Sequence, residues 1–205
     1  MMEVFPLFAS PVCKMMVEEN INELMKYVNE ESYSVEYNDS SRRSQGSNDK
    51  RVLEKYSRIK KLILKYFHKF SSEFLRYDGN FNITTSWFTK SQKNSSSQFH
   101  LHKNSFYSGV LYFGEYDDNN GGQLQFNNPL IPFSDYRIIP KSYFIGNCGE
   151  YSISPAKNLL VLFPSYLSHR ITHYTGNNIR YSLAFNISPI GKYGGGDSSY
   201  NTEWF

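Results

Sequence analysis

The sequence predicts a mainly β protein, a sandwich or jelly roll, with helices only in its N-terminal third. Three observations lead there. From Asn80 onward, short runs of β-branched and aromatic residues alternate with turn residues. Aromatic residues make up 17% of the 205 residues, including 17 Tyr and 16 Phe, and such side chains suit half-buried pleated surfaces. Only the chain before Asp78-Gly79 keeps apolar residues at helical spacing over several turns.

Val4 to Met16 is interrupted by Pro6 and Pro11 and predicts extended chain. Val17 to Glu30 predicts a short helix, because Ile21, Leu24, Met25 and Val28 share one face. Glu31 to Asp49 is rich in Ser, Asn, Asp and Arg, and predicts a long loop that could serve as a lid. From Lys50 to Tyr77, Val52, Tyr56, Ile59, Ile63, Phe67, Phe70 and Phe74 predict one long helix, stopped at Asp78-Gly79. Lys55, Arg58, Lys60, Lys61, Lys65 and Lys69 predict its solvated face.

Strands are then expected over Phe81–Phe88, Phe99–His102, Ser105–Phe113, Gln123–Phe126, Ser142–Ile145, Tyr151–Ile153, Leu159–Phe163, Leu167–Tyr174 and Ile179–Ile187. Asn119-Asn120-Gly121-Gly122 predicts a hairpin turn. Gly191 to Phe205, with Gly194-Gly195-Gly196, predicts a flexible tail or flap. With no repeat or dividing linker, residues 1–205 are expected to form one domain. Its parts would be a helical support over 1–79, a jelly-roll core over 80–190 and a tail over 191–205.

Bulk properties narrow the function. A net charge of +3, from 22 basic and 19 acidic residues, is too balanced to point to nucleic acid. No apolar run is long enough for a membrane span, and Met1 to Met16 lacks the basic start of a signal peptide. Cys13 and Cys148 have neither CxxC spacing nor a disulfide framework. A soluble, cytoplasmic protein is expected.

The chemistry-bearing residues come in two groups. His100 and His102, two apart on an expected strand, would face the same way and could grip one metal ion, with His169 closing the site. On the last expected strand, Arg180, Ser182, Ala184 and Asn186 share the face opposite Ile179, Tyr181, Leu183, Phe185 and Ile187. If that face looks into a cavity, a buried Arg180 needs an anionic partner, and its planar fork with the Ser182 hydroxyl suits a carboxylate. His68 and His173 are expected at the surface.

Together these segments resemble the 2-oxoglutarate and Fe(II)-dependent oxygenases, and in particular a bacterial and phage group of them. The resemblance runs through Phe5-Pro6-Leu7-Phe8, Ser86-Trp87, His100-Leu101-His102, Ser108-Gly109-Val110-Leu111-Tyr112, Leu162-Phe163-Pro164-Ser165, His169, Arg180-Tyr181-Ser182 and Phe185-Asn186. It implies a double-stranded β-helix, or jelly roll, carried on N-terminal helices. It implies Fe(II) held by His100, His102 and His169, with no catalytic residue beyond these ligands. It implies 2-oxoglutarate bound through Arg180 and Ser182, with Asn186 and Tyr112 lining the cavity, O2 as the second co-substrate, and hydroxylation of a substrate. Trp87 and Asn104 are weaker lining candidates. One departure stands out: His102 occupies the place of the usual carboxylate ligand, so three neutral histidines would leave more positive charge on the iron. Two alternatives stay open. One is a three-histidine, cupin-like metal enzyme that does not use 2-oxoglutarate. The other is a jelly-roll binding module without catalysis.

Overall fold

The computed structural model describes residues 3, 9–33, 35–36, 44–77, 79–130, 139–143 and 147–202. Two antiparallel sheets face each other, as expected of a jelly roll. The larger has eight strands in the order β1 (Cys13–Met16), β8 (Leu159–Pro164), β5 (Tyr107–Tyr112), β10 (Arg180–Tyr193), β4 (Asn80–Ser91), β3 (Ser44–Gly46) and β2 (Val35–Glu36), with β11 (Tyr200–Thr202) pairing onto β10. The smaller has three: β7 (Glu150–Ile153), β6 (Leu124–Asn127) and β9 (His169–Ile171).

Strand alternation divides the large sheet into two faces with different jobs. Leu160, Leu111, Leu183 and Phe88 lie opposite one another across β8, β5, β10 and β4, and all four are fully buried on the outer face. There they pack against α1 (Glu23–Glu30) and α3 (Ser57–Phe70) through Leu24, Val28, Ile59, Ile63 and Phe67. The next row, Val161, Val110, Ala184 and Trp87, turns inward toward the small sheet, whose Leu124, Phe126 and Ile153 complete a second core with Val110 and Val161.

A β-bulge lets β4 serve both faces. Asn186 pairs with Thr85 but Ile187 pairs with Ile83, so Thr84 is an extra residue in β4. An extra residue reverses the alternation beyond it. Thr85, Trp87 and Thr89 therefore face inward, while Phe81 and Ile83 still join the outer core.

Several expected elements differ in the structure, each for a tertiary reason. The Lys50–Tyr77 helix is three pieces: α2 (Val52–Lys55), α3, and a π-helical turn over Ser71–Leu75. The break falls at Tyr56, whose ring stacks on Tyr27 at 3.9 Å and whose hydroxyl donates to Glu31 at 2.9 Å. The helical run ends at Arg76, in a left-handed conformation with φ 57°, before the expected Asp78-Gly79, of which Asp78 lies outside the described residues. The first helix starts at Glu23 rather than Val17; of the expected apolar face Ile21, Leu24 and Val28 are buried, whereas Met25 is exposed.

The expected loop over 31–49 supplies strands β2 and β3, which extend the large sheet, β3 pairing onto β4 and β2 onto β3. Residues 34 and 37–43 of that stretch, and Phe5 to Phe8, fall outside the described residues. The Asn119-Gly122 segment is no hairpin turn: it connects β5 and β6, which lie in different sheets, through a short 3-10 turn over Asp118–Asn120. Ser142 and Tyr143 are not in a strand, and Phe144 and Ile145 lie outside the described residues. Within the expected tail, residues 191–202 carry strand structure: β10 runs on to Tyr193 and β11 folds back on it. Among the described residues no helix is long and apolar enough to cross a membrane.

The basic helix face is solvated, as expected, and several of its cations are paired. Lys65 bonds Glu19 at 2.8 Å, Lys60 bonds Glu54 at 2.8 Å, and Arg58 contacts Glu23.

Gly109 is a packing requirement of the large sheet. A Cβ there would lie 2.4 Å from the Phe185 ring and 2.9 Å from the Val161 carbonyl oxygen. Gly109→Ala should destabilise the fold by about 1–3 kcal/mol through overpacking, read as a lower denaturation midpoint. Lys65, then the Tyr66 hydroxyl, holds the Glu19 carboxyl down to about 2, below its ordinary 4.5. A depressed folded pKa adds stability above about pH 4.5 that is lost as pH falls toward 2. Glu19→Gln should lower neutral-pH stability only slightly, since the pair is solvent-screened, and flatten the loss over that acid window in denaturation midpoints measured against pH.

Candidate active site

The three histidines meet between the sheets. His169 opens β9, and His100 forms a single antiparallel bridge with it through two backbone bonds of 2.9 Å. His102 is placed by its own backbone N–H, which donates to the Ser165 carbonyl at 3.0 Å. The chain then turns away at Lys103 and Asn104, the latter with φ 59°. The expected strand over Phe99–His102 is thus only a bridge. The two histidines converge because backbone bonds to the β8–β9 connection hold each of them, not because a continuous strand alternates.

The rings lie with centroids 4.4 Å (His100–His169), 5.1 Å (His102–His169) and 5.2 Å (His100–His102) apart. One nitrogen from each falls within 4.8 Å of the others, a spacing that could hold a metal ion. His100 Nδ1 meets the Gln98 carbonyl at 2.9 Å, and His169 Nδ1 meets the Leu167 carbonyl at 2.9 Å. A carbonyl only accepts, so in each ring the proton sits on Nδ1 and the Nε2 lone pair is left to ligate. Burial, reinforced by His100, pushes His169 down to about 3 and His102 down to about 4. Both are therefore neutral near pH 7, the form a metal requires.

Arg180 stands at the start of β10 and is only 1% exposed. One guanidinium nitrogen donates to the Tyr112 hydroxyl at 3.2 Å, and the group lies 5.0 Å from the Tyr112 ring centroid. Its Nε has no hydrogen-bond partner, and among the described residues no carboxylate pairs with it. An unpaired buried charge is costly, and here the remedy is space: Arg180 lines the same cavity of about 600 Å3 as the three histidines. Gly122 makes room for it, since a Cβ there would sit 3.0 Å from Arg180 Cδ and 3.2 Å from Nε.

The other expected residues divide. Ser182, between Tyr112 and Thr89 on the neighbouring strands, is buried and lines the cavity. Asn186 lines it too, but both ends of its amide are engaged: its oxygen accepts from Ser108 Oγ at 2.7 Å and its nitrogen donates to Thr85 Oγ1 at 2.8 Å. Ser108 Oγ also meets Ser165 Oγ at 2.8 Å, so Asn186 is tied to the segment that holds His102. Tyr112 is fully buried and reaches the cavity only through Arg180. Trp87 lines the cavity with its ring 5.8 Å from the His102 ring, whereas Asn104 borders a separate groove beside it. His68 and His173 are exposed, as expected.

The sequence reading missed Thr85, Thr89, Ser91 and Ser44 as cavity residues. The alternation Thr85-x-Trp87-x-Thr89-x-Ser91 was the available signal, obscured by the bulge at Thr84 that starts it. Phe99 and Gln98, just before His100, also line the cavity, and Phe99 is held by the Arg170 guanidinium 4.5 Å from its ring. Among the described residues, no Asp or Glu lines this cavity.

Residues 85–186 match a family model described as "Putative 2OG-Fe(II) oxygenase". No curated protein sequence matches the chain. Solved structures share the fold at low identity. A prolyl-4-hydroxylase from Pseudomonas putida is 17% identical with a TM-score of 0.56, covering 88% of this chain and 94% of its own. A Trichoplax adhaerens prolyl hydroxylase, solved with a hypoxia inducible factor peptide fragment, is 12% identical with a TM-score of 0.60 over 86% and 82%. HygX from Streptomyces hygroscopicus, solved with nickel, 2-oxoglutarate and hygromycin B, is 8% identical with a TM-score of 0.59 over 88% and 83%. The matched segment holds all three histidines and Arg180, and the sheets that carry them form the jelly roll of these enzymes: the chain belongs to the 2OG-Fe(II) oxygenase family of oxidoreductases.

Proposed function

We propose that His100, His102 and His169 hold Fe(II), and that Arg180 with Ser182 holds the distal carboxylate of 2-oxoglutarate, in an enzyme that hydroxylates a small molecule or a peptide. The observation that carries this reading is Arg180: a buried guanidinium without an acidic partner among the described residues, with a bare Nε, in the cavity of three histidines. The donor chemistry fits the metal. Imidazole nitrogens suit iron, and the Nδ1 bonds to Gln98 and Leu167 orient two of the rings before any ion arrives. It also fits the co-substrate, since a carboxylate matches the guanidinium fork and satisfies the bare Nε.

Bound iron with 2-oxoglutarate supplies the activation of O2, coupled to loss of CO2 from the oxo-acid. The chain's own work is placement. Arg180 anchors the oxo-acid by its far end and so sets how deep it sits; the Tyr112 hydroxyl fixes the guanidinium from behind. Ser182 adds a hydroxyl donor beside it. Asn186, tied to Ser108 and Thr85, stiffens the wall. The apolar inter-sheet core keeps bulk water from the inner end.

β1 and β11, the first and last strands, both belong to the larger sheet, which supports reading residues 1–205 as one domain. Among the described residues no disulfide joins the cysteines, in keeping with a reducing cytoplasm. A three-histidine enzyme that ignores 2-oxoglutarate would leave Arg180 to its substrate's own acid group, so 2-oxoglutarate binding separates the two readings.

Titration of 2-oxoglutarate into the nickel-loaded protein should show saturable binding, and Arg180→Ala should lose about 2–5 kcal/mol of it. Unchanged affinity in that variant overturns the assignment. Arg180→Met should bind 2-oxoglutarate poorly yet raise the melting temperature of the ligand-free protein, because it replaces an unpaired buried charge with an apolar chain. Alanine at His100, His102 or His169 should each reduce metal retained after dialysis, read by elemental analysis, at least about tenfold.

A further inference from the structure

We infer that the substrate of this site is an organic anion whose planar or ring portion rests on the indole of Trp87, an inference that builds on the iron and 2-oxoglutarate reading above. Charge carries the first half. Three imidazoles bring no negative charge to the metal, where a ligand set with one carboxylate would bring one. At the metal end a divalent ion and Arg180 contribute three positive charges and 2-oxoglutarate returns only two negative ones, while Lys50 brings a further cation to the cavity lining. Among the described residues no Asp or Glu lines the cavity to supply the third. The loaded cavity is thus left positive in a partly buried space, where such a charge is weakly screened. A carboxylate or phosphate is drawn in, and an ammonium is repelled. His102 is the residue responsible, because it stands where a carboxylate would have neutralised the site.

Shape carries the second half. Trp87 lies inward on β4, opposite Ala184 on β10, a side chain too small to cover the indole. Its ring is 5.8 Å from the ring of His102, so a group resting on it lies beside the metal ligands. Phe99, held by Arg170, adds a second aromatic surface next to His100. Thr85 and Thr89 flank Trp87 on the same face of β4 and offer hydroxyls to a polar edge. Flat aromatic surfaces with hydroxyls beside them suit a ring or another planar group.

The test uses the full chain loaded with nickel and saturated with 2-oxoglutarate, and three probes of one shape: benzoate, benzamide and benzylamine. Binding is read by calorimetry and by quenching of tryptophan fluorescence. Benzoate should bind at least about tenfold more tightly than benzamide, benzylamine more weakly still, and the preference should shrink as salt is raised. Trp87→Leu should weaken benzoate at least about tenfold, and Trp87→Phe, which keeps a ring, should restore part of the loss. Ser96→Asp, which places an acid on the cavity wall, should reverse the order of benzoate and benzylamine. The inference is overturned if benzylamine binds as well as benzoate, if none of the probes binds at millimolar concentration, if benzoate merely displaces 2-oxoglutarate, or if Trp87→Leu has no effect. Failure of 2-oxoglutarate itself to bind would instead sink the underlying reading, so the two failures are told apart in the first titration.

Discussion

The fold is arranged around a charge that has no acidic partner among the described residues. Arg180 is almost completely buried, yet its Nε is bare and only the Tyr112 hydroxyl answers its fork. Burying a guanidinium this way costs stability, and the neighbouring structure is shaped to tolerate it. Gly122 gives up its side chain to let Arg180 lie down, and the Tyr112 ring offers its face. The surrounding core offsets the cost with two apolar clusters, one on each face of the large sheet. An anion bound in the cavity would offset that cost, which is the role proposed for Arg180.

The histidine triad meets a related constraint by other means. His102 and His169 are neutral because burial makes protonation unfavourable, and His100 and His169 are pre-oriented by carbonyls of their own loops. His100 and His169 are locked together by reciprocal backbone bonds, while His102 hangs from the Ser165 carbonyl. Ser165 also closes the Ser108–Asn186–Thr85 chain of hydrogen bonds, so the wall of the cavity and one arm of the triad are mechanically joined. The site is a property of both sheets, with Arg180 and Trp87 on the large one and His169 on the small one.

Much of this was legible in the chain. The polar row Arg180, Ser182, Ala184 and Asn186 follows from period two on a strand that does form, and it does face a cavity. The HxH pair and His169 do come together, although the strand expected to align the pair is a single bridge. What misled was local signal in places where distant contacts rule. The helix from Lys50 breaks at Tyr56 because Tyr27 and Glu31 capture that side chain. The 31–49 stretch contributes strands because β4 offers an open edge to pair with. The Asn-Gly run after Asp118 crosses between sheets because β5 is already paired on both sides, with β8 and β10.

Residue type and periodicity alone determined the β architecture, the helical N-terminal third, the three candidate histidines and the polar row that carries Arg180, because these depend on which atoms a side chain carries and which face a strand gives it. The tertiary structure alone decided which faces look inward and what stands beside what. The bulge at Thr84 turns Trp87 and two threonines into the cavity, and no local rule marks where an extra residue enters a strand. The burial that keeps His102 and His169 neutral, and leaves Arg180 Nε bare, arises only when both sheets close over them. Charge state is set by surroundings, and surroundings exist only in the folded chain.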